Sequence, residues 1–203
     1  METRTTSTDV SIEIHADYVK KSYHTNIGNF PLQRVKFLRE LEAYERFKKI
    51  GAEFVPNLIA YDIDLQSITL ERIEGIDICE ILENCSEYDL NRIIDHIIHI
   101  DSFLYKNNIN CLYTSPKELI YQVEMDKLFL LDFEYTFVNE YFHQILLENI
   151  YQNPKMKRIN NVRCLDEFVE LSKRRLIDVE KYHYRKVKTY LLSKLGMIRK
   201  KGT

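Results

Sequence analysis

The chain has 203 residues, of which 45% are hydrophobic and 30% charged, and its formal net charge is −2. This composition is typical of a folded globular protein, and only 5 Gly and 4 Pro exclude a collagen-like or largely disordered chain. The length predicts one domain or one domain built of two small lobes. No run reaches the roughly 18 apolar residues of a membrane-spanning helix, and residues 1–9 lack the apolar core of a signal peptide. We therefore expect a cytoplasmic protein without a transmembrane segment.

The four cysteines, Cys79, Cys85, Cys111 and Cys164, are scattered and form no Cys-x-x-Cys pair. Zinc and redox sites usually pair cysteines at that short spacing. Disulfides are rare in cytosolic proteins. The pattern therefore predicts four reduced thiols and no metal site built from cysteine.

Charge is distributed unevenly along the chain. Residues 172–203 contain eleven Lys or Arg and two Asp or Glu, a net charge of +9, so residues 1–171 carry −11. One interpretation is a solvated helix face that balances an acidic body. The other is a surface that contacts phosphate groups, in RNA or on an acidic membrane.

Strand patterns dominate the first third of the chain. Alternation of apolar and polar residues predicts strands over residues 10–14 and 18–23. Apolar residues at intervals of three to four predict an amphipathic helix over residues 34–49. Residues 58–62 and 67–72 are predicted to form a hairpin around a polar turn.

Helical patterns dominate the remainder. They predict helices over residues 77–84 and 88–106 and from about residue 136 onward. Two short strands, residues 118–122 and 128–131, are predicted between them. Strands followed by helices are typical of an α+β fold.

The order of elements predicts two lobes. Residues 1–73 would form a small strand-rich N-lobe with one helix, and residues 74–203 a helical C-lobe with a short hairpin and a basic C-terminal helix. Residues 127–134, KLFLLDFE, are the most informative segment, because their apolar run ends in Asp132. Such a run predicts a buried strand with a carboxylate at its tip. A divalent cation that bridges nucleotide phosphates can be held there.

These elements, in this order and spacing, resemble the protein-kinase-like superfamily over about residues 10–140. The similarity is to its small divergent members: lipopolysaccharide core kinases, aminoglycoside phosphotransferase-like proteins and the small kinase of the tRNA threonylcarbamoylation complex. The resemblance implies a two-lobe kinase-like fold with ATP and Mg²⁺ as cofactors.

In this family a strand lysine holds the nucleotide phosphates and pairs with a helix glutamate. The strand over residues 18–23, YVKKSY, offers Lys21, with Lys20 as the alternative on its other face. Glu40 is the predicted glutamate, because its neighbours three and four positions on, Ala43 and Tyr44, suit an inward-facing side. The competing interpretation is that these lysines and this glutamate are surface charges.

The resemblance also implies a hinge and a phosphate-binding loop. Residues 68–75, ITLERIEG, resemble the hinge, so the backbone from Glu71 to Ile73 is predicted to hydrogen-bond the adenine edge. A strand followed by an ordinary turn would show the same pattern. A glycine-rich phosphate loop is missing, because no glycine precedes Gly28.

The catalytic segment departs from the family pattern. In residues 111–119, CLYTSPKEL, Tyr113 stands where the family has its catalytic aspartate, and Glu118 stands where it has a metal-binding asparagine. A phenol with a pKa near 10 is a poor proton acceptor at neutral pH. Glu118 can still bind Mg²⁺ through oxygen, and Asp132 matches the other metal ligand. The resemblance therefore implies a degraded catalytic apparatus.

Three functional hypotheses remain. The leading one is a pseudokinase that binds nucleotide and acts in regulation or scaffolding, with a protein partner. The second is an active divergent phosphotransferase acting on a glycan, a small molecule or a protein. The third, from a different class, is an interaction module that uses its basic C-terminus on RNA or an acidic membrane surface.

Overall fold

The computed structural model describes residues 2–5, 10–24, 30–111, 114–138, 146, 150 and 152–175. Tyr113 and most of the basic C-terminal segment lie outside the described residues, so the predictions made for them are not addressed by the fold. No helix within these ranges is both long enough and apolar enough to cross a membrane.

An antiparallel sheet occupies the N-terminal part, in the strand order β1-β2-β3-β5-β4. Its strands are β1 (Glu2–Thr5), β2 (Val10–Ile14), β3 (Tyr18–Tyr23), β4 (Leu58–Asp62) and β5 (Ser67–Glu71). Four of the five were predicted; β1 contains no apolar residue and carries no alternation signal. The register pairs Lys21 with Ile12 on one side and Ile68 on the other, which places this lysine in the middle of the sheet.

The helix α1 (Phe30–Ile50) packs near this sheet. It begins four residues before the predicted start and ends next to Gly51, whose φ of +67° favours glycine. The buried aromatic side chains on this helix are Phe37, Tyr44 and Phe47. Burying each of these rings contributes roughly 1.5–3 kcal/mol to folding.

The rest of the described chain mixes short strands and helices. Its elements are β6 (Ile76–Asp77), α2 (Ile78–Glu83), α3 (Leu90–Lys106), β7 (Ile109–Cys111), β8 (Leu119–Gln122), β9 (Lys127–Leu130), β10 (Thr136–Val138) and a helix described over residues 162–175. One small sheet has the order β6-β8-β9, and β10 pairs with β7. The prediction of helix from residue 136 onward is therefore wrong for β10, because a tertiary partner decides the conformation of this three-residue segment.

Helix α3 supplies the core beneath the β8–β9 hairpin. Asp89 caps its N-terminus by accepting from the backbone N–H groups of Asn91 and Arg92. Its buried stripe consists of Leu90, Ile93, Ile94, Ile97, Ile100, Asp101 and Leu104. The Leu130 N–H donates to the Phe54 carbonyl at 2.8 Å, which ties β9 to the segment after α1. The tip of β9 is thereby fixed relative to that helix.

A disulfide joins Cys85 to Cys164, at a sequence separation of 79 and with 5.9 Å between their Cα atoms. Cys79 and Cys111 are free thiols. The prediction of four reduced cysteines is therefore wrong for one pair. Tertiary packing brings the segment after α2 against the helix at residues 162–175, and sequence spacing carries no signal of that approach.

Candidate functional site

Lys21, Glu40 and Asp132 meet in one cluster, in which Lys21 and Glu40 are buried and the Asp132 side chain is 35% exposed. The Lys21 Nζ atom lies 2.8 Å from Glu40 Oε2 and 2.8 Å from Asp132 Oδ1. Lys21 and Glu40 are only 8% and 1% exposed. The structure thus brings together the lysine, glutamate and aspartate that the family resemblance singles out. Lys20 follows the opposite face of the strand, because successive side chains alternate, so Lys21 is the lysine that faces the cluster.

Three elements supply these side chains. Strand β3 carries Lys21 in the centre of the first sheet, and α1 carries Glu40 on its buried face. Asp132 follows β9 by two residues and has a φ of +62°, in the left-handed region. Aspartate is among the few residues that adopt this conformation readily. The left-handed residue turns the chain at the point where its carboxylate reaches Lys21.

Glu40 is held by more than its lysine. The Tyr23 hydroxyl donates a hydrogen bond to Glu40 Oε2, and the Phe133 N–H lies 3.5 Å from Glu40 Oε1. The sequence patterns assigned Tyr23 no role in the site. Strand alternation places Tyr23 on the same face as Lys21, and that pattern could have identified it as a second partner.

The electrostatics of the cluster follow from one ammonium shared by two carboxylates. Burial opposes the charge on Lys21, but Glu40 and Asp132 together outweigh it, so the pKa of Lys21 is raised. Burial raises the pKa of Glu40 to about 7, although Lys21 pulls it down. When both carboxylates are ionised the cluster carries a net negative charge, which favours a cation beside Asp132.

A cavity of about 360 Å³ opens on this cluster. Its apolar walls are Ile12, Val19, Pro56, Leu70, Ile73 and Leu131, and its polar end holds Lys21, Glu40, Lys117, Glu118 and Asp132. The volume lies within the range of small-molecule sites. An apolar slot that leads to charged groups suits a ligand with a flat apolar part and an anionic part.

The hinge segment forms one edge of the cavity. The Glu71 N–H donates to the Asn57 carbonyl, and the Arg72 N–H donates to the Asp17 carbonyl. Ile73 follows β5 and lines the cavity. Its N–H donates to no backbone carbonyl among the described residues. Of the predicted hinge positions, Ile73 is therefore the best placed to donate to a ligand.

Glu118 enters the cavity from a short 3₁₀ turn, Pro116–Glu118. Its Oε2 accepts from the Ser115 N–H at 2.8 Å, while the Ser115 hydroxyl oxygen accepts from the Lys117 N–H, a capping box. Burial, with the nearby charge of Asp132, raises the pKa of Glu118 to about 8. The capping bond uses one of the two carboxylate oxygens.

Phe133 locks the segment after Asp132 against α1. Its ring is fully buried and lies 5.1 Å from the Tyr44 ring and 4.8 Å from the Phe47 ring, centroid to centroid. The ring contacts, together with the Phe133 N–H near Glu40 Oε1, anchor Phe133 in the core beside α1. Asp132, the preceding residue, is thereby held close to α1.

A second set of contacts, which the sequence did not suggest, joins α1 to residues 134–137. Lys36 Nζ lies 3.2 Å from Glu134 Oε1 and 5.0 Å from the centre of the Tyr135 ring. Arg39 lies 4.3 Å from the centre of the Phe137 ring. Lys36 and Arg39 are three residues apart, so they lie on one face of the helix. Tyr135 and Phe137 are two residues apart, as side chains on one face of an extended segment are. These two spacings were the sequence signals that could have predicted the contacts.

The residues around the cavity fit a nucleotide with a magnesium ion. Asp132 and Glu118 offer the hard oxygen ligands that Mg²⁺ prefers. No cluster of three potential metal ligands exists among the described residues, which is ordinary for Mg²⁺ because phosphates and waters complete its shell. The buried Tyr44 hydroxyl lines the same cavity and has no hydrogen-bond partner within the described part of the chain.

Solved structures of two kinases are similar in fold to this chain. A co-crystal structure of WbdD with the kinase inhibitor LY294002 superimposes with a TM-score of 0.57 and 14% sequence identity, covering 85% of this chain and 45% of that chain. A second WbdD structure gives 0.58 and 15%, covering 85% and 46%. WbdD is described as a bifunctional kinase-methyltransferase. The Cydia pomonella granulovirus kinase PK-1 gives 0.50 and 15%, covering 79% and 60%.

The chain thus spans about half the length of the WbdD structures it matches. No protein-family model and no curated protein sequence matches it. At these identities the likeness establishes the fold alone. The protein has an α+β, protein-kinase-like fold, as the order of its elements predicted.

Proposed function

We propose that the protein binds ATP with Mg²⁺ in the 360 Å³ cavity and acts as a pseudokinase in regulation or scaffolding. The observation that carries this proposal is the pairing of Lys21 with both Glu40 and Asp132 at the polar end of an apolar slot. Lys21 would hold the phosphates, and Glu40 would orient Lys21. Asp132 and Glu118 would hold the magnesium ion, which neutralises phosphate charge when bound.

The adenine ring would occupy the apolar end of the cavity. The backbone between Glu71 and Ile73 would meet its polar edge, with the Ile73 N–H as donor. Leu70 and Leu131, on the two walls, would pack against its faces. The cavity therefore separates an aromatic base from the phosphates, as the proposed ligand requires.

Nucleotide binding is expected to raise the melting temperature. A ligand that binds only the folded state stabilises it by about 2.7 kcal/mol at a hundredfold excess over Kd. ATP with Mg²⁺ should therefore raise the melting temperature. Asp132→Asn should remove most of the part of this increase that depends on Mg²⁺. Asparagine is chosen because it tolerates a positive φ. Differential scanning fluorimetry with and without Mg²⁺ measures both effects.

The matched control for this experiment is Asp64→Asn, which changes an exposed carboxylate in the turn between β4 and β5. It should leave the shift unchanged. No shift with any nucleotide at millimolar concentration would contradict the proposal. It would favour an interaction module that uses the basic C-terminal segment on RNA or an acidic membrane.

The second candidate is an active phosphotransferase on a glycan, small molecule or protein. The contacts of Lys36 and Phe133 that hold α1 in place favour it, because they keep the Lys21–Glu40 pair assembled. Phosphoryl transfer depends mainly on positioning and charge stabilisation. The bond from the γ-phosphorus of ATP to the bridging oxygen would break, and a bond to the acceptor oxygen would form as that oxygen loses its proton.

Turnover separates the two candidates. General-base help is typically worth about 10² to 10⁴ in rate, and Tyr113 stands at that position. A pseudokinase should give no detectable phosphate transfer, and Tyr113→Asp alone should not restore a normal rate because Glu118 also departs from the family pattern. An active enzyme should hydrolyse ATP or label itself slowly, and both Lys21→Ala and Asp132→Ala should abolish this. Radiolabelled ATP measures both reactions, and Asp132-dependent transfer by the wild-type chain would overturn the pseudokinase assignment.

A further inference from the structure

A second cavity, of about 430 Å³, lies beside the proposed nucleotide site and shares Lys117 with it. Its lining consists of Cys79, Glu83, Lys117, Lys155, Arg158 and Ile159. We call it the cationic cavity, because three of these six side chains are positively charged and one is negatively charged. None of the ATP contacts proposed above accounts for this charge.

The sequence builds one wall of the cationic cavity from the 3₁₀ helix Pro154–Arg158. Asn153 caps this helix by accepting from the Lys155 N–H at 2.9 Å. A 3₁₀ helix has three residues per turn, so side chains three apart lie above one another. Lys155 and Arg158 therefore share one face, whereas the side chain of Met156 is buried in the core. Lys155, Lys157 and Arg158 are all exposed, but Lys157 does not line the cavity.

Hydrogen bonds hold Lys155 and Glu83 in place, whereas the charges of the cavity as a whole are incompletely balanced. Lys155 Nζ donates to the Ser115 hydroxyl at 2.8 Å, and Ser115 is only 3% exposed. This bond ties the 3₁₀ helix to the segment that carries Lys117. The one carboxylate, Glu83, accepts from the Asn160 N–H at 2.8 Å. Across the described residues, Lys117 and Arg158 take part in no ion pair.

We propose that the cationic cavity binds a small molecule through a phosphomonoester group. Three cations against one carboxylate leave a net charge of +2, which matches a phosphate dianion. Arg158 offers the planar fork of donors that pairs with phosphate oxygens, Lys155 adds a point charge from the same 3₁₀ helix, and Lys117 adds one from the turn Pro116–Glu118. Ile159 and Cys79 provide apolar surface for the organic part. The volume suits a molecule the size of a sugar phosphate.

This site adjoins the proposed nucleotide site and shares Lys117 with it, but it does not require bound nucleotide. Lys117 lies one residue before Glu118, which lines the other cavity, so the two ligands would sit on either side of the 3₁₀ turn Pro116–Glu118. In a pseudokinase the phosphomonoester is a second signal that the protein senses. In an active phosphotransferase it is the acceptor.

The test is isothermal titration calorimetry, in which the whole protein is titrated separately with glucose 6-phosphate, inorganic phosphate and glucose. Both phosphates are expected to bind, and glucose is not. Arg158→Gln and Lys155→Gln are each expected to weaken phosphate binding about tenfold or more, because each removes a charge-assisted hydrogen bond. Lys157→Gln, on the same 3₁₀ helix but outside the cavity, is the matched control and should leave the affinity unchanged.

The remaining arms decide between this site and its rivals. No binding of either phosphate at millimolar concentration would overturn the proposal, and so would equal losses in Arg158→Gln and Lys157→Gln. Competition between glucose 6-phosphate and ADP that is unchanged in Arg158→Gln would place the ester in the other cavity and overturn it. An oligonucleotide that binds through Arg158 and is not displaced by glucose 6-phosphate would assign the site to nucleic acid instead. Failure of ATP to bind, with phosphate binding intact, would count against the pseudokinase proposal alone.

Discussion

Replacing Lys21 with methionine is expected to lower the free energy of unfolding by about 3–5 kcal/mol at pH 8. Removing one partner of a buried ion pair costs about this much, because the other charge stays buried without compensation. Glu40 is 1% exposed and would lose the ammonium 2.8 Å from its carboxylate. Asp132 would lose the same partner. Urea denaturation followed by circular dichroism measures the change.

The stability lost in Lys21→Met should be larger at high pH than at low pH. The pKa of Glu40 in the folded protein is raised to about 7, above the ordinary value of 4.5. A carboxyl group whose pKa is higher in the folded than in the unfolded state stabilises the fold fully at pH values below its unfolded-state pKa. This contribution is lost as the pH rises through its folded-state pKa. Without Lys21 the folded pKa of Glu40 should rise further. The deficit of Lys21→Met relative to wild type should therefore shrink towards pH 5 and grow above pH 7.

Two further variants make this expectation specific. Lys20→Met changes the neighbouring lysine on the other face of β3 and should alter stability by no more than about 0.5 kcal/mol, as most surface substitutions do. Adding Glu40→Gln to Lys21→Met should recover part of the loss at pH 8, because it removes the charge left unpaired. Equal losses for the two lysines, or a pH-independent loss for Lys21→Met, would show that the cluster does not behave as a buried ion pair.

The parts of the site that lie on regular elements could be predicted from the sequence. The strand alternation around Lys21 and the apolar run that ends in Asp132 are local signals, and their order carried the likeness to kinases. The spacing in α1 predicted a helix, and the neighbours Ala43 and Tyr44 predicted that Glu40 lies on its inward-facing side. Glu40 is 1% exposed, whereas the apolar Val35 and Leu38 are 40% and 43% exposed. The helical spacing did not indicate that these two apolar residues lie on the exposed side.

Two of the missed features, β10 and the disulfide, depend on pairing between distant segments. Strand β10 has three residues, and it forms because Thr136 lies opposite Cys111 in the neighbouring strand. The disulfide between Cys85 and Cys164 likewise depends on the packing of two helical segments. Composition at either site gives no indication of its partner. Long-range contacts of this kind are visible only once the chain is folded.

Replacing Phe133 with alanine is expected to destabilise the protein by about 3–5 kcal/mol, the usual cost of removing a fully buried aromatic ring. The ring is 0% exposed and packs on Tyr44 and Phe47. Phe133→Leu keeps most of the volume and should cost less than about 1.5 kcal/mol. Tyr61→Ala removes a ring that is 46% exposed and should change stability by about 0.5 kcal/mol or less. Chemical denaturation measures all three variants.

Losing this ring should also disturb the ion-pair cluster. Phe133 adjoins Asp132, and its N–H lies 3.5 Å from Glu40 Oε1, so its ring fixes the distance between the two carboxylates that share Lys21. Phe133→Ala and Glu40→Gln should therefore be non-additive, with a coupling of at least about 0.5 kcal/mol in a double-mutant cycle. Additive losses would mean that the ring supports the core alone. A measurable coupling would mean that the hydrophobic contact of α1 with the segment after β9 also sets the geometry of the ion-pair cluster.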